Sequence, residues 1–173
     1  MDAVEYMLDR RAMPLTDRVR PRIGDVVEVS TPAGLAYAQF THKHDEPPKF
    51  GALIRVFPGL HERRPKDFAA VLQQRPLFST FFPLGAACNR GIVKIVAEER
   101  VPQHLSDWPT FRNAPRREPG RAKSGPWFLF DGKREWKVES LSEDQLREYP
   151  PLAVWNDTLL IERIVSGWRH EDG

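Results

Sequence analysis

The first regular alternation along the chain is Asp25–Ser30 (DVVEVS), and a second follows at Leu35–Thr41 (LAYAQFT). Between them, Thr31 to Gly34 reads as a turn, with Gly34 free to take a positive φ. The two runs therefore predict a hairpin over 25–41. On its second strand Ala36, Ala38 and Phe40 share one face, and Leu35, Tyr37 and Gln39 share the other. Further strands are predicted at Ala52–Phe57, Leu77–Phe82 and Gly91–Ala97. Trp127–Phe130 and Arg134–Val138 flank Asp131-Gly132, the strongest hairpin signal in the chain. Helices are predicted at 2–12, at Pro65–Gln74, and at 142–148 behind a Ser142 cap. Residues 157–168 space Leu160, Ile161, Ile164, Val165 and Trp168 as a helix would, behind Asn156-Asp157, although DTLLIERIV also fits a buried strand. Residues 14–22 read as a basic linker, 44–50 as a proline-rich loop, and 98–125 hold no clear element.

These short strands are joined mainly by turns, which argues against a doubly wound parallel sheet. The expected fold is mainly β, of the α+β type: a small bent antiparallel sheet or a partly open β-barrel with short peripheral helices. Residues 1–22 are expected to form an N-terminal helix and linker arm, and 23–173 a single β-rich domain. Sixteen prolines in 173 residues support short elements and exclude a coiled coil.

Composition narrows the setting. Apolar residues make up 40% and charged residues 29%, a soluble globular profile. No stretch approaches the ~18 apolar residues of a membrane span, and the first residues lack the apolar region of a secretory signal. Cys88 is the single cysteine, which fits a reducing cytoplasm. The net charge of +2 allows a polyanionic partner without demanding one.

Candidate chemistry is sparse. His42 and His44 point the same way in extended chain, and Asp45 and Glu46 follow, so a metal site with His61 or His104 is conceivable. The favoured reading is a polar strand end running into a loop, with no metal. Cys88, in FPLGAACNRG, has only Arg90 as electropositive help and reads as a packing residue. There is no nucleophile elbow, phosphate loop or dinucleotide fingerprint. No catalytic residue and no cofactor are assigned.

The basic segment 112–123 (RNAPRREPGRAK) sets Arg112, Arg116, Arg117, Arg121 and Lys123 against Glu118 alone. Trp108 and Phe111 precede it, and Trp127 and Phe128 follow. It reads as an exposed recognition loop, because so many cations cannot be desolvated beside one carboxylate. The expected partner-binding residues are Arg112, Arg116, Arg117, Arg121, Trp108 and Trp127. Arginines among aromatics suit nucleic acid or an acidic protein surface. Residues 139–173 are opposite in sign, with eight carboxylates against three arginines. At least one of Trp108, Trp127 and Trp155 is expected to be partly exposed.

GDVVEVSTPAGLAYAQ near the start, FFPLGAACNRGIVKIV in the middle and WFLFDG before a polar arm together resemble the bacterial immunity protein twenty-six family. The resemblance covers about residues 22–138 and extends towards Trp168. It implies a largely β fold and the neutralisation of a cognate toxin in polymorphic toxin systems. Gly24, Asp25, Tyr37, Gln39, Trp127, Asp131 and Gly132 would be fold-defining positions. The loops at 44–50 and 112–123 would carry partner specificity. The expectation is a non-enzymatic, cytoplasmic protein-binding module that occludes a toxin's active site. The alternative is a nucleic-acid-binding barrel using the basic loop.

Overall fold

The computed structural model describes residues 18–114 and 126–173. The helix expected over 2–12 lies outside them. The main sheet contains β1 (Asp25–Thr31), β2 (Gly34–His44), β3 (Gly51–Val56), β4 (Phe78–Phe82) and β5 (Val93–Glu98). All its pairings are antiparallel, in the order β4-β3-β2-β1-β5. A smaller antiparallel sheet is built from β6 (Phe111–Asn113), β7 (Trp127–Phe130) and β8 (Glu135–Val138), with β7 central. Neither sheet closes on itself. The fold is mainly β, in the open-sheet form of the expectation rather than the barrel form.

The first hairpin forms where its alternation places it. Thr31 holds the turn, its hydroxyl donating to the Gly34 carbonyl at 2.8 Å and accepting from the Ala33 N–H at 3.1 Å. Gly34 has φ +134°, and a side chain there would meet the His61 carbonyl, where Leu35 and His61 exchange backbone hydrogen bonds. A register shift between Phe40 and His42 lets β2 run on to His44.

Both faces of the main sheet are covered. Val27, Val29, Ala36, Ala38, Phe40, Ile54, Val56, Phe78 and Phe82 pack under α2 (Leu84–Asn89) and α4 (Asp157–Ser166). α4 starts where the Asn156 side chain accepts from the Leu159 N–H at 2.8 Å, and stops at Gly167 with φ +65°. Leu160, Ile164 and Trp168 from this segment are buried; Ile161 is half-buried and Val165 exposed, so the apolar stripe is narrower than its sequence pattern. The segment is a helix and not the alternative buried strand. The opposite face meets α1 (Ala69–Leu72), a 3-10 turn at Gln103–Leu105 and the small sheet.

Three elements differ from the sequence expectation. The helix expected over 65–74 shrinks to the four residues of α1. Asp67 sets its start by accepting the Ala69 N–H at 2.9 Å, and Pro76 disfavours helix at Arg75. α2 forms in LGAACN, where the Gly and Ala residues left no readable periodicity. β6 lies inside the supposedly irregular 98–125, too short to show an alternation. α3 (Glu143–Glu148) does follow its sequence signal: Ser142 and Gln145 form a reciprocal capping box.

Three buried or turn side chains, Asp25, Gln39 and Asp131, hold backbone. Asp25 accepts the Arg22 N–H at 2.7 Å. Gln39 donates to the Glu99 carbonyl at 2.8 Å and the Gly24 carbonyl at 3.3 Å. Asp131 accepts the N–H groups of Lys133 and Arg134, and Gly132 leaves room for the Trp108 ring.

Candidate functional site

The β register aligns Val26, Gln39, Arg55 and Ser79 as one rung across β1 to β4. This rung carries polar groups into the covered side of the sheet. Gln39 and Ser79 are buried, and Arg55 is 7% exposed. The Arg55 guanidinium donates through Nη1 to Ser79 Oγ at 2.9 Å and through Nε to Thr41 Oγ1 at 3.3 Å, with a longer contact from Nη2 to the Asp107 carbonyl at 3.5 Å. Burial lowers its pKa to about 10, so it remains a cation near neutrality.

His170 closes this cluster from the C-terminus. Its Nε2 accepts the Ser79 N–H at 2.9 Å. Burial is the main force lowering its pKa to about 4; the Arg147 backbone carbonyl opposes that, and Arg112, Arg55 and Arg75 add to it. The ring is therefore neutral, with its proton on Nδ1. The Arg112 guanidinium in turn donates to the His170 carbonyl and, through Nε at 2.9 Å, to the Tyr149 carbonyl.

A second polar group lies two positions along the same face, at the Glu28–Tyr37 pair. Tyr37 Oη donates to Glu28 Oε2 at 3.0 Å, and Arg64 grips the same carboxylate from Nε at 2.7 Å and Nη2 at 2.9 Å. The Arg64 hydrogen bond holds the Glu28 carboxyl below the ordinary range, against desolvation. Burial first, and then the bond to Glu28, push the Tyr37 phenol to about 12. This triad is an inert strut at neutral pH.

The expected site residues do not converge. Arg116, Arg117 and Arg121 lie outside the described residues. Arg112 corrects the expectation of an exposed loop beginning there: it is 4% exposed, because it sits in β6 with backbone acceptors, and its guanidinium lies 5.6 Å from the Trp127 ring centre. Trp127 is half-buried at the start of β7. Trp108 is half-buried at the other end of the small sheet, against Gly132 and 4.9 Å from the His42 ring. Trp155 is core. Trp136, missed as a candidate, is the most exposed of these tryptophans at 37%. The charges beside it, Glu135 and Lys137, were the available signal that β8 turns to solvent.

The remaining candidates are engaged structurally. His42 has Thr41 Oγ1 3.0 Å from Nδ1 and the Ser106 carbonyl 2.9 Å from Nε2, and burial lowers its pKa. His44 sits among Phe50, Phe81, Trp108 and Phe130. Among the described residues, no group of three or more metal-ligating side chains comes together. Cys88 is half-buried in α2, and burial pushes its thiol up, away from a reactive thiolate. No helix among the described residues is long and apolar enough to cross a membrane. No family model, curated protein or solved structure matches this chain.

Proposed function

We propose that the protein is a non-enzymatic, cytoplasmic binding module of the toxin-immunity kind, which covers the active cleft of a cognate toxin. The observation that carries this reading is the free edge of the small sheet. Among the described residues β8 pairs with β7 alone, and Glu135, Trp136 and Lys137 along it are all exposed. Open edges are ready templates for another chain, and tryptophan is enriched where partners bind. In sequence, Arg116, Arg117 and Arg121 fall between β6 and β7. The edge, Trp127 and Trp136 belong to one small sheet mounted on a larger, doubly covered one. A standard interface of roughly 1,600 Å² would suffice for tight occlusion. The groups best suited to nucleophilic or acid–base work are tied into the scaffold, which favours binding over catalysis.

Co-expression with the product of the neighbouring gene tests the reading. The expected result is that the neighbour is toxic alone, is neutralised by this protein, and copurifies with it. Trp136→Ser should weaken that association without unfolding the protein. A harmless neighbour that does not copurify contradicts the proposal. So would steeply salt-dependent binding to single-stranded RNA in place of a protein partner, because counterion release marks a nucleic-acid site.

A further inference from the structure

Beside the polar rung lies a cavity of about 210 Å³. Arg55, Ser79 and His170 line it as buried groups, and Arg75, Arg147 and Arg169 also border it, although the Arg147 guanidinium pairs with Glu143 and Asp144. Glu148 and Glu171 also line it, exposed at its rim as Arg75 and Arg147 are. The buried part of the lining thus holds one cation, Arg55, beside the neutral Ser79 and His170.

Arg55 is the unusual group. A guanidinium has five N–H donors, and the protein engages three of them. No carboxylate pairs with Arg55 among the described residues. An uncompensated buried charge is expensive, and proteins normally place a counter-ion beside it. Here the acceptors are two hydroxyls and one carbonyl, all neutral. Ser79 Oγ accepts from Arg55 and makes no hydrogen bond as donor to the described residues, so its proton is available. Fixed guanidinium donors and a free hydroxyl donor thus face the same cavity as the other arginines.

We propose that this cavity binds a phosphoryl group, presented by inorganic phosphate or by a small phosphorylated metabolite. A planar guanidinium fork matches a phosphate's oxygens, and charge-assisted bonds of this kind are the strong ones. Several arginines around one cavity suit a dianion better than a monocarboxylate. The volume lies below the ~300 Å³ at which pockets for drug-sized ligands begin, so a nucleotide is too large. The site joins β3 and β4 to α3 and to the C-terminal 3-10 turn at His170–Asp172. Occupancy should therefore tighten the C-terminal segment onto the sheet. This inference does not depend on the toxin-immunity reading.

The test is calorimetric titration of the full chain with inorganic phosphate at constant ionic strength, with chloride as the balancing ion. Saturable binding is expected, with an unfolding midpoint that rises with occupancy. Arg75→Ser with Arg169→Ser should keep the wild-type midpoint in chloride and weaken phosphate binding roughly tenfold or more, as loss of charge-assisted bonds implies. Arg55→Met should abolish the phosphate response. Should that buried substitution fail to fold, the double variant decides alone. A phosphomonoester such as glycerol phosphate separates the sources: tighter binding than inorganic phosphate assigns the site to a metabolite, and weaker or equal binding assigns it to the free ion. The proposal is overturned if wild type shows no saturable phosphate response, or if the double variant responds as wild type does.

Discussion

Two adjacent rungs of the main sheet face opposite ways and are built on different terms. Val27, Ala38, Val56 and Phe78 form one; Val26, Gln39, Arg55 and Ser79 form the next. Both are buried. The first packs under α4 and the Trp155–Trp168 pair, where non-directional apolar contact suffices. The second holds an amide, a guanidinium and a hydroxyl, and each needs a named acceptor or donor from elsewhere in the chain. The first face is apolar throughout, while the other sets groups whose burial opposes stability among its own apolar clusters. Polar groups placed against that cost are the first place to look for binding.

The largest effect should come from breaking the apolar rung. Phe78 is fully buried, with its ring 5.0 Å from Trp155 and 5.8 Å from Trp168. Phe78→Ala should cost about 3–5 kcal/mol, read as a lowered denaturant midpoint with unchanged slope. A loss below about 1 kcal/mol would mean that this face is not the main source of cohesion.

Acid should act through the other face. The folded pKa of His170, about 4, lies below its ordinary 6.5. The unfolded chain therefore takes up this proton first. Stability is whole above the ordinary value and falls as pH drops towards about 4, by up to roughly 3 kcal/mol from this ring. His42 adds a loss in the same direction. Glu28, whose pKa is lowered, contributes a loss only below the ordinary carboxylate range. Denaturant unfolding on both sides of this window, for wild type and His170→Gln, should show the variant with the shallower slope.

Smaller differences sharpen the boundary between scaffold and loop. Arg112→Ser strips the Tyr149 and His170 carbonyls of a charged donor and should cost about 2 kcal/mol. Arg116→Ser, Arg117→Ser and Arg121→Ser together should shift stability by no more than ~1 kcal/mol, while slowing association with an acidic partner and reducing its salt dependence. The reverse order would place the loop arginines in the scaffold and free Arg112 for recognition.

Elements whose signals are local were legible before the structure. The 25–41 hairpin, the Asp131-Gly132 turn and the Ser142 and Asn156 caps depend on residues within a few positions of one another. The polar rung was not legible. In ALIRV, Arg55 reads as an ordinary strand residue, and its burial depends on Ser79 and Asp107, 24 and 52 positions away. Ser79 in turn meets His170 across 91 positions. Arg112 was misplaced for the same reason: a count of charges within 112–123 does not register acceptors at Tyr149 and His170. Trp136 was passed over because tryptophans on hairpins are most often packed, and only the edge position of β8 exposes it.

The contrast between the two rungs rests most directly on Arg55. The decisive measurement is the unfolding free energy of Arg55→Met in phosphate-free buffer, beside wild type. A buried cation without a carboxylate stabilises the fold little, so the expected variant is within about 1 kcal/mol of wild type or more stable, as when buried ions are replaced by apolar side chains of similar volume. A loss of about 3 kcal/mol or more would show Arg55 to be a structural strut, and the polar face to be architecture rather than a site.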